Sequence, residues 1–268
     1  MIRPVRTIVN VLPTVLLVLA VVAGVLGVVM LGVWAVRRFV PATREGFDAE
    51  VSSQVLGVAA SLFGLLLAFV VVIEFQAYSA AGDNVAAEAD GLAAIVRDSK
   101  VFDEPGGAGV RSAIGGYVRI VVDDEWPLMR EGKESPAAWQ AMDGIFASMQ
   151  GYEPASASQV AFYDDSVRHL NAVLEARRDR LGASDGNDLP ALIAALVIVG
   201  SLVILGYVTL VGSKSGAFHA IGAGSIAVIV GFSLVVLLAL QFPFSGGLAV
   251  DSRPFEEGVL AQLAGQSR

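Results

Sequence analysis

Residues 51–100 read VSSQVLGVAASLFGLLLAFVVVIEFQAYSAAGDNVAAEADGLAAIVRDSK. From Val51 to Ile73 the stretch carries no charged side chain, enough for one helix across a hydrocarbon core that needs about 20 residues. At Glu74 it meets water, and through Tyr78 and Glu88 it runs on as an amphipathic helical pattern. A helix that leaves the bilayer and enters a polar domain can carry a pore or a signal from one to the other. The rest of the chain is arranged around it.

Before this stretch, residues 8–36 form a second apolar run, flanked by Arg3 and Arg6 on one side and Arg37 and Arg38 on the other. A cleaved signal core spans about 7–15 residues, so this longer run reads as a retained span. Pro13 falls in its first turns, where a membrane helix tolerates a kink. Two further spans follow at residues 189–211 and 217–241, with Asp188 and Pro190 as a helix start and a short loop at 212–216 between them. The expected fold class is all-α. It is a four-span helical membrane protein with a helical extramembrane domain inserted between the second and third spans. The first two spans occupy residues 1–75, at 8–36 and 51–73. The domain is 76–188, the second pair of spans 189–241 and the C-terminal tail 242–268.

Composition agrees. Of 268 residues, 55% are hydrophobic and 16% charged, against about 25% charged in soluble domains, and the mean hydropathy is +0.67. The net charge is −8, and residues 76–188 alone hold 19 Asp and Glu against 10 Lys and Arg, a net of −9. Nucleic acid is not an expected partner, because phosphate binding needs a basic surface; an acidic vestibule concentrates cations instead. There is no cysteine, which excludes disulfides and thiolate chemistry, and the two histidines, His169 and His219, fall on different elements. No Asp, Glu, Lys or Arg lies in the middle of any span, which argues against proton pumps and ion-coupled transporters.

Within 76–188 the breaks fall at 104–107, 131–135 and 151–156. Ser135 is placed to cap a helix through Met149, and Ser156 or Ser158 to start a longer one ending at Gly182. Arg177, Arg178 and Arg180 crowd the end of that helix, just before the third span, where reaching toward lipid headgroups is their plain reading. Past Gln241, Pro243 and Gly246-Gly247 break the chain, and residues 254–263 suggest a short amphipathic helix. With four spans, both termini and the 76–188 domain share one side. That side carries six membrane-proximal basic residues (Arg3, Arg6, Arg177, Arg178, Arg180, Arg253) against four on the other (Arg37, Arg38, Arg44, Lys214). The balance favours a cytoplasmic domain and termini in a multi-pass plasma-membrane protein.

Catalytic motifs are absent: no GxSxG, HExxH, P-loop or post-strand GxGxxG. No enzyme activity, cofactor or metal site is expected. The acidic clusters at Asp123, Asp124, Glu125 and at Asp164, Asp165 read as solvated turns rather than cation sites. In the second span, Gly57, Gly64 and Ala68 recur with Ser61 as a narrow small-residue side, and the fourth span repeats the theme with Gly224 and Gly231. Such sides let helices approach closely in lipid. The overlapping stripe Ser61, Leu65, Phe69 is the candidate pore lining.

An ordered series of short motifs then carries a resemblance. It runs Glu88-Ala89, Glu125-Trp126-Pro127, the pair Arg177 and Arg180, Leu189-Pro190, and Pro243-Phe244 with Gly246. The series resembles the bestrophin-like membrane proteins of bacteria and plants, over about residues 51–260. Residues 65–69 with Tyr78 and Glu88 are similar to the end of the bestrophin pore helix. The resemblance implies a ring of subunits around one pore, a pentamer if bestrophins are followed, with Phe69 in the neck and Leu65 and Ser61 one and two turns away. The chain differs in two places: Phe69 to Glu88 is longer than the bestrophin spacing, and the acidic calcium-clasp run after the fourth span is missing. The expected function is an oligomeric ion channel with a hydrophobic neck, whose partners are the bilayer, permeant ions and further copies of the chain. The alternative is a non-conducting scaffold or sensor whose helical domain binds a protein.

Overall fold

The computed structural model describes residues 6, 10, 13–39, 49–186, 190–210 and 216–266. Every regular element among them is helical. In chain order these are α1 (Thr14–Phe39), α2 (Ala49–Asp98), a 3-10 turn (Ser99–Val101), α3 (Gly106–Ile120), a π-turn (Val121–Glu125) and α4 (Trp126–Met129). There follow α5 (Pro136–Gln150), α6 (Ala157–Ser184), α7 (Ala191–Leu210), α8 (Gly216–Gln241), a second 3-10 turn (Arg253–Glu256) and α9 (Gly258–Gln266). Four of these helices, α1, α2, α7 and α8, are long and apolar enough to cross a membrane. The fold class is therefore all-α with four membrane-capable helices. The expected loop at 212–215, and Asp188 and Leu189 at the third span's start, lie outside the described residues.

The chain divides into two compact units. One comprises Val11–Gln76 and Asp188–Gln241. Here α1 packs on α7 and α8 around Val29, Val33, Val208, Ala223 and Ala227. Gly231 makes the α1–α8 approach possible: a Cβ there would stand 3.3 Å from Val22 Cα, and one on Gly224 3.4 Å from Leu26 and Met30 side chains. The span portion of α2 packs through Leu67 and Val70, with Phe63 alongside, against Val197 and neighbouring residues of α7 and α8. His219, in the first turn of α8, sits with Nε2 3.0 Å from the Val208 carbonyl oxygen.

The other unit comprises Met1–Asn10, Ala77–Asn187 and Phe242–Arg268. Its core takes one face of α2, where Ala81, Val85, Ala89, Leu92 and Val96 recur every three or four residues and are buried. That is the spacing that lays a stripe along a helix. Val110, Ile114, Tyr117 and Val118 of α3, Met142, Ile145 and Met149 of α5, and Leu170 and Val173 of α6 close around it.

Helix ends follow local chemistry. Ser135 accepts from the Ala138 amide and caps α5. Ser156 starts α6 with a full capping box: its hydroxyl accepts from Gln159 N while Gln159 Oε1 accepts from the Ser156 amide at 3.1 Å. α6 does not stop at Gly182. It continues to Ser184, and the left-handed residue beyond it is Gly186 at φ 97°. The tail helix starts later than its amphipathic pattern suggests, because Gly258 at φ 60° interrupts the helix between the 3-10 turn and α9.

Candidate functional site

Four side chains separated by up to ninety-two positions converge in the core of the second-described unit, and none exposes any surface: Glu88, Glu125, Arg177 and Arg180. Three local features position them. Glu88 belongs to the buried stripe of α2, one residue before Ala89. Glu125 closes the π-turn, which turns Val121 and Glu125 into the core and leaves Asp123 and Asp124 exposed. Such widened turns recur at functional sites. Arg177 and Arg180 stand three apart on α6 and so share one face.

Arg177 grips Glu125 in a bidentate pair, Nη1 to Oε2 at 2.6 Å and Nη2 to Oε1 at 2.7 Å. Arg180 donates from Nε to Glu88 Oε2 at 2.6 Å and from Nη2 to Glu125 Oε2 at 2.9 Å. Its Nη1 lies 2.8 Å from the Met129 sulfur. Tyr117 bridges the halves: its hydroxyl accepts from Arg177 Nη1 at 2.9 Å and donates to Glu88. The Ser135 amide adds a 3.3 Å contact to Glu125 Oε1. Aromatic rings cover the guanidinium faces, with Arg177 Cζ 4.6 Å from the Trp139 centroid and Arg180 Cζ 5.3 Å from that of Trp126. Trp126 in turn meets Phe244 and Phe255 edge-on.

Two carboxylates against two guanidiniums make the cluster formally neutral, which is the condition for burying charge without a large desolvation deficit. Burial and the Glu88 carboxylate push the Tyr117 phenol well above its usual range. Burial works to lower Arg180, but Glu88 and the other acceptors outweigh it, and the guanidinium is held above its ordinary value. Only Arg177 Nε lacks a hydrogen-bond partner. The cluster is a joint between α2, α3, the π-turn and α6.

The other residues singled out in the sequence surround this joint or stand apart from it. Pro243 and Phe244 are buried in the same unit, and Pro127 is exposed. Gly246 takes φ 75°, and its amide donates to Asn10 Oδ1 at 3.1 Å. Asn10 Nδ2 and Ser245 Oγ both donate to the Arg130 carbonyl, at 2.6 and 2.9 Å. Arg177 and Arg180 do not reach toward lipid headgroups as their position before the third span suggests; the network takes both. The acidic clusters are likewise engaged: Glu125 in the network, Asp124 by the Ser135 hydroxyl, Asp165 by Arg168. Among the described residues, no group of three His, Asp or Glu side chains is arranged to hold a metal ion.

Sequence reasoning missed Tyr117, Trp139, Phe255 and Asn10. Tyr117 carried a signal: it stands in the apolar series Val110, Ile114, Tyr117, Val118 of the core-facing helix α3, where a buried hydroxyl calls for a polar partner.

The span portion of α2 has four distinct sectors, given about 100° per residue. Ser52, Leu67 and Val70 are buried, with Leu56 and Phe63 half-buried beside them. Directly across the helix lie Gln54, Ser61, Leu65 and Val72, with Phe69 alongside; Leu65 is 56% and Phe69 63% exposed. One flank is small, with Gly57, Gly64 and Ala68, and the other bulky, with Val55, Leu62 and Ile73. Nothing lies within 4 Å of a Cβ built on Gly57 or Gly64. The Ser61 hydroxyl donates back to the Gly57 carbonyl at 2.8 Å.

Neither a curated protein nor a solved structure matches the chain. A family model described as a bestrophin-like domain matches residues 23–255. That match runs from within α1 to the 3-10 turn after α8, and it takes in the α2 span and all four members of the buried ion-pair network. This protein belongs to the bestrophin-like family.

Proposed function

We propose that the protein is the subunit of a homo-oligomeric ion channel in the cell membrane, with a hydrophobic neck formed by Ser61, Leu65 and Phe69 of the second spans. The observation that carries the reading is the division of α2 into a packed sector, an uncovered sector opposite it and two unlike flanks. In a ring, the sector facing away from a subunit's own helices faces the axis. The small flank of one copy then receives the bulky flank of the next, a head-to-tail contact that closes into a ring instead of a two-fold dimer. Family membership supports the same reading, since bestrophins are channels. A neck of Leu65 and Phe69 gates by dewetting and needs no charge within the bilayer.

The 76–188 segment, at net −9, favours cations as the permeant class. The 76–188 domain and both termini face the cytoplasm. Orientation is biased while the spans insert, before Arg177 and Arg180 enter their network, so the six-to-four excess of basic residues still acts.

The test is conductance of the purified protein in planar bilayers. Phe69→Ala is expected to raise the open fraction, because a smaller ring is easier to wet, and potassium is expected to pass better than chloride. A folded oligomer that conducts no salt sinks the reading, and a monomer or dimer by native mass spectrometry shifts it to a scaffold whose domain recruits a protein.

A further inference from the structure

The uncovered sector of α2 does not end with the apolar stretch. At about 100° per residue, the direction of Ser61, Leu65 and Val72 recurs at Gln76, Ser79, Asp83, Asp90 and Arg97, and all eight residues are exposed in the chain. The packed sector holds its direction too, from Leu67 and Val70 to Ala81, Leu92 and Ile95. One helix therefore carries a continuous uncovered stripe, and its chemistry changes once. Apolar as far as Val72, the stripe then turns polar, and its charges are Asp83, Asp90 and, last, Arg97. No side chain longer than aspartate stands on it between Gln76 and Arg97, the others being Ser79, Ala87 and Ala94. Glu, Lys and Gln are the stronger helix formers for a face turned to bulk water, and aspartate is a weak one. Two aspartates in the interior of a long helix overrule local propensity, which is where a functional reason is to be sought.

We propose that Asp83 and Asp90 line the permeation path beyond the neck and set its preference for cations, each repeated around the ring by the other subunits. They take this role only if the channel reading above holds, because only in a ring does the stripe face an axis. A rise of about 1.5 Å per residue puts Asp83 about 21 Å along α2 from Phe69, and Asp90 about 10 Å further. A permeant ion leaves the apolar neck, passes Gln76 and Ser79, and meets the two carboxylate levels in turn. Their separation of about 10 Å matches the Debye length at about 0.1 M salt, so the two levels act as one field. Single carboxylates two turns apart form no chelate; they raise the local cation concentration without holding an ion. Conduction requires that, since an ion must leave as well as enter. Glu74 is nearer the neck but lies on the packed side and is buried. Arg97 ends the stripe about 10 Å past Asp90, which leaves the aspartates as the charges closest to the neck on this sector.

The experiment measures reversal potentials of the purified full-length protein in planar bilayers under a potassium chloride gradient. It compares the wild type with the double variant Asp83→Asn, Asp90→Asn and with a control, Asp143→Asn, Asp164→Asn. The control removes the same charge from exposed positions on α5 and α6. The first double variant is expected to lose potassium-over-chloride preference by about threefold or more, and the control to keep it. A stripe variant that conducts with the wild-type preference overturns the proposal and leaves the channel reading intact, as does an equal loss in the control. A folded oligomer that conducts no salt removes both. The absence of cysteine permits a second measurement, in which Asp83→Cys is modified with thiosulfonate reagents of either charge. The anionic reagent is expected to restore the cation preference and the cationic one to lower it further. Identical selectivity after either reagent would place position 83 off the path and refute the assignment.

Discussion

Arg177 shows why single residues in this core are unequal. Its guanidinium meets both oxygens of Glu125 and lies over Trp139, with no surface exposed. Removing one member leaves an opposite charge buried and uncompensated, which costs about 3–5 kcal/mol. Glu125→Gln is therefore expected to lower the unfolding temperature of the purified protein sharply, by far more than Asp123→Asn two residues away on the exposed side of the same turn. Similar losses for the two would mean that the network contributes little. Much of this was legible: Glu88, Glu125, Arg177 and Arg180 stood out as a series in the sequence. What was not legible was their meeting, because ion pairs across fifty-two and ninety-two positions leave no trace in local periodicity. The arginines also lay where lipid headgroups offered a simpler explanation. The structure overrules that, since a formally neutral cluster, hydrogen-bonded at every polar side-chain atom but Arg177 Nε, holds them in the interior.

Elements follow their own short-range rules more closely. α2 runs unbroken through Ala49–Asp98 because Glu74 interrupts the apolar composition without supplying a glycine or proline to stop the helix. α6 begins at Ser156 because the reciprocal hydrogen bonds of Ser156 and Gln159 satisfy amides that would otherwise be orphaned. Gln159 Nε2 also reaches the Val101 carbonyl at 3.4 Å and so ties the start of α6 to the turn after α2. Ser156→Ala is expected to cost about 1 kcal/mol, read as a lower unfolding temperature. Ser158→Ala, on an exposed residue past the cap, is expected to leave that temperature unchanged. Starts were easier to read than ends. Caps are chemical, but α6 passes Gly182 because a glycine permits a left-handed terminus and does not force one; Gly186 takes that conformation instead.

At the scale of the molecule, large apolar residues of α1, α2, α7 and α8 remain exposed in the single chain, Val28, Leu65, Leu192 and Ile229 among them. Four membrane-capable helices account for such surfaces, since lipid is their solvent. Lipid does not explain why α2 is small on one flank and bulky on the other. If copies pack head to tail through those flanks, Gly64→Leu fills the hollow that the next copy's bulky side enters. It is then expected to shift the protein toward smaller species by native mass spectrometry, while Gly116→Ala, at an open position of α3, leaves the assembly unchanged. An intact oligomer with Gly64→Leu would remove that flank from the interface.

The sequence by itself determined the number of membrane-capable helices, the uninterrupted helix from the second span into the polar segment, the helix start at Ser135 and another at Ser156 or Ser158, and the family. These depend on local composition, on spacing within one helix, or on motifs in linear order, all of which survive in one dimension. Only the tertiary structure decided that two glutamates and two arginines share one dry cluster with Tyr117, and which sector of α2 its own chain leaves uncovered. Burial and charge pairing are properties of neighbours in space, and residues from distant segments become neighbours only when the helices pack.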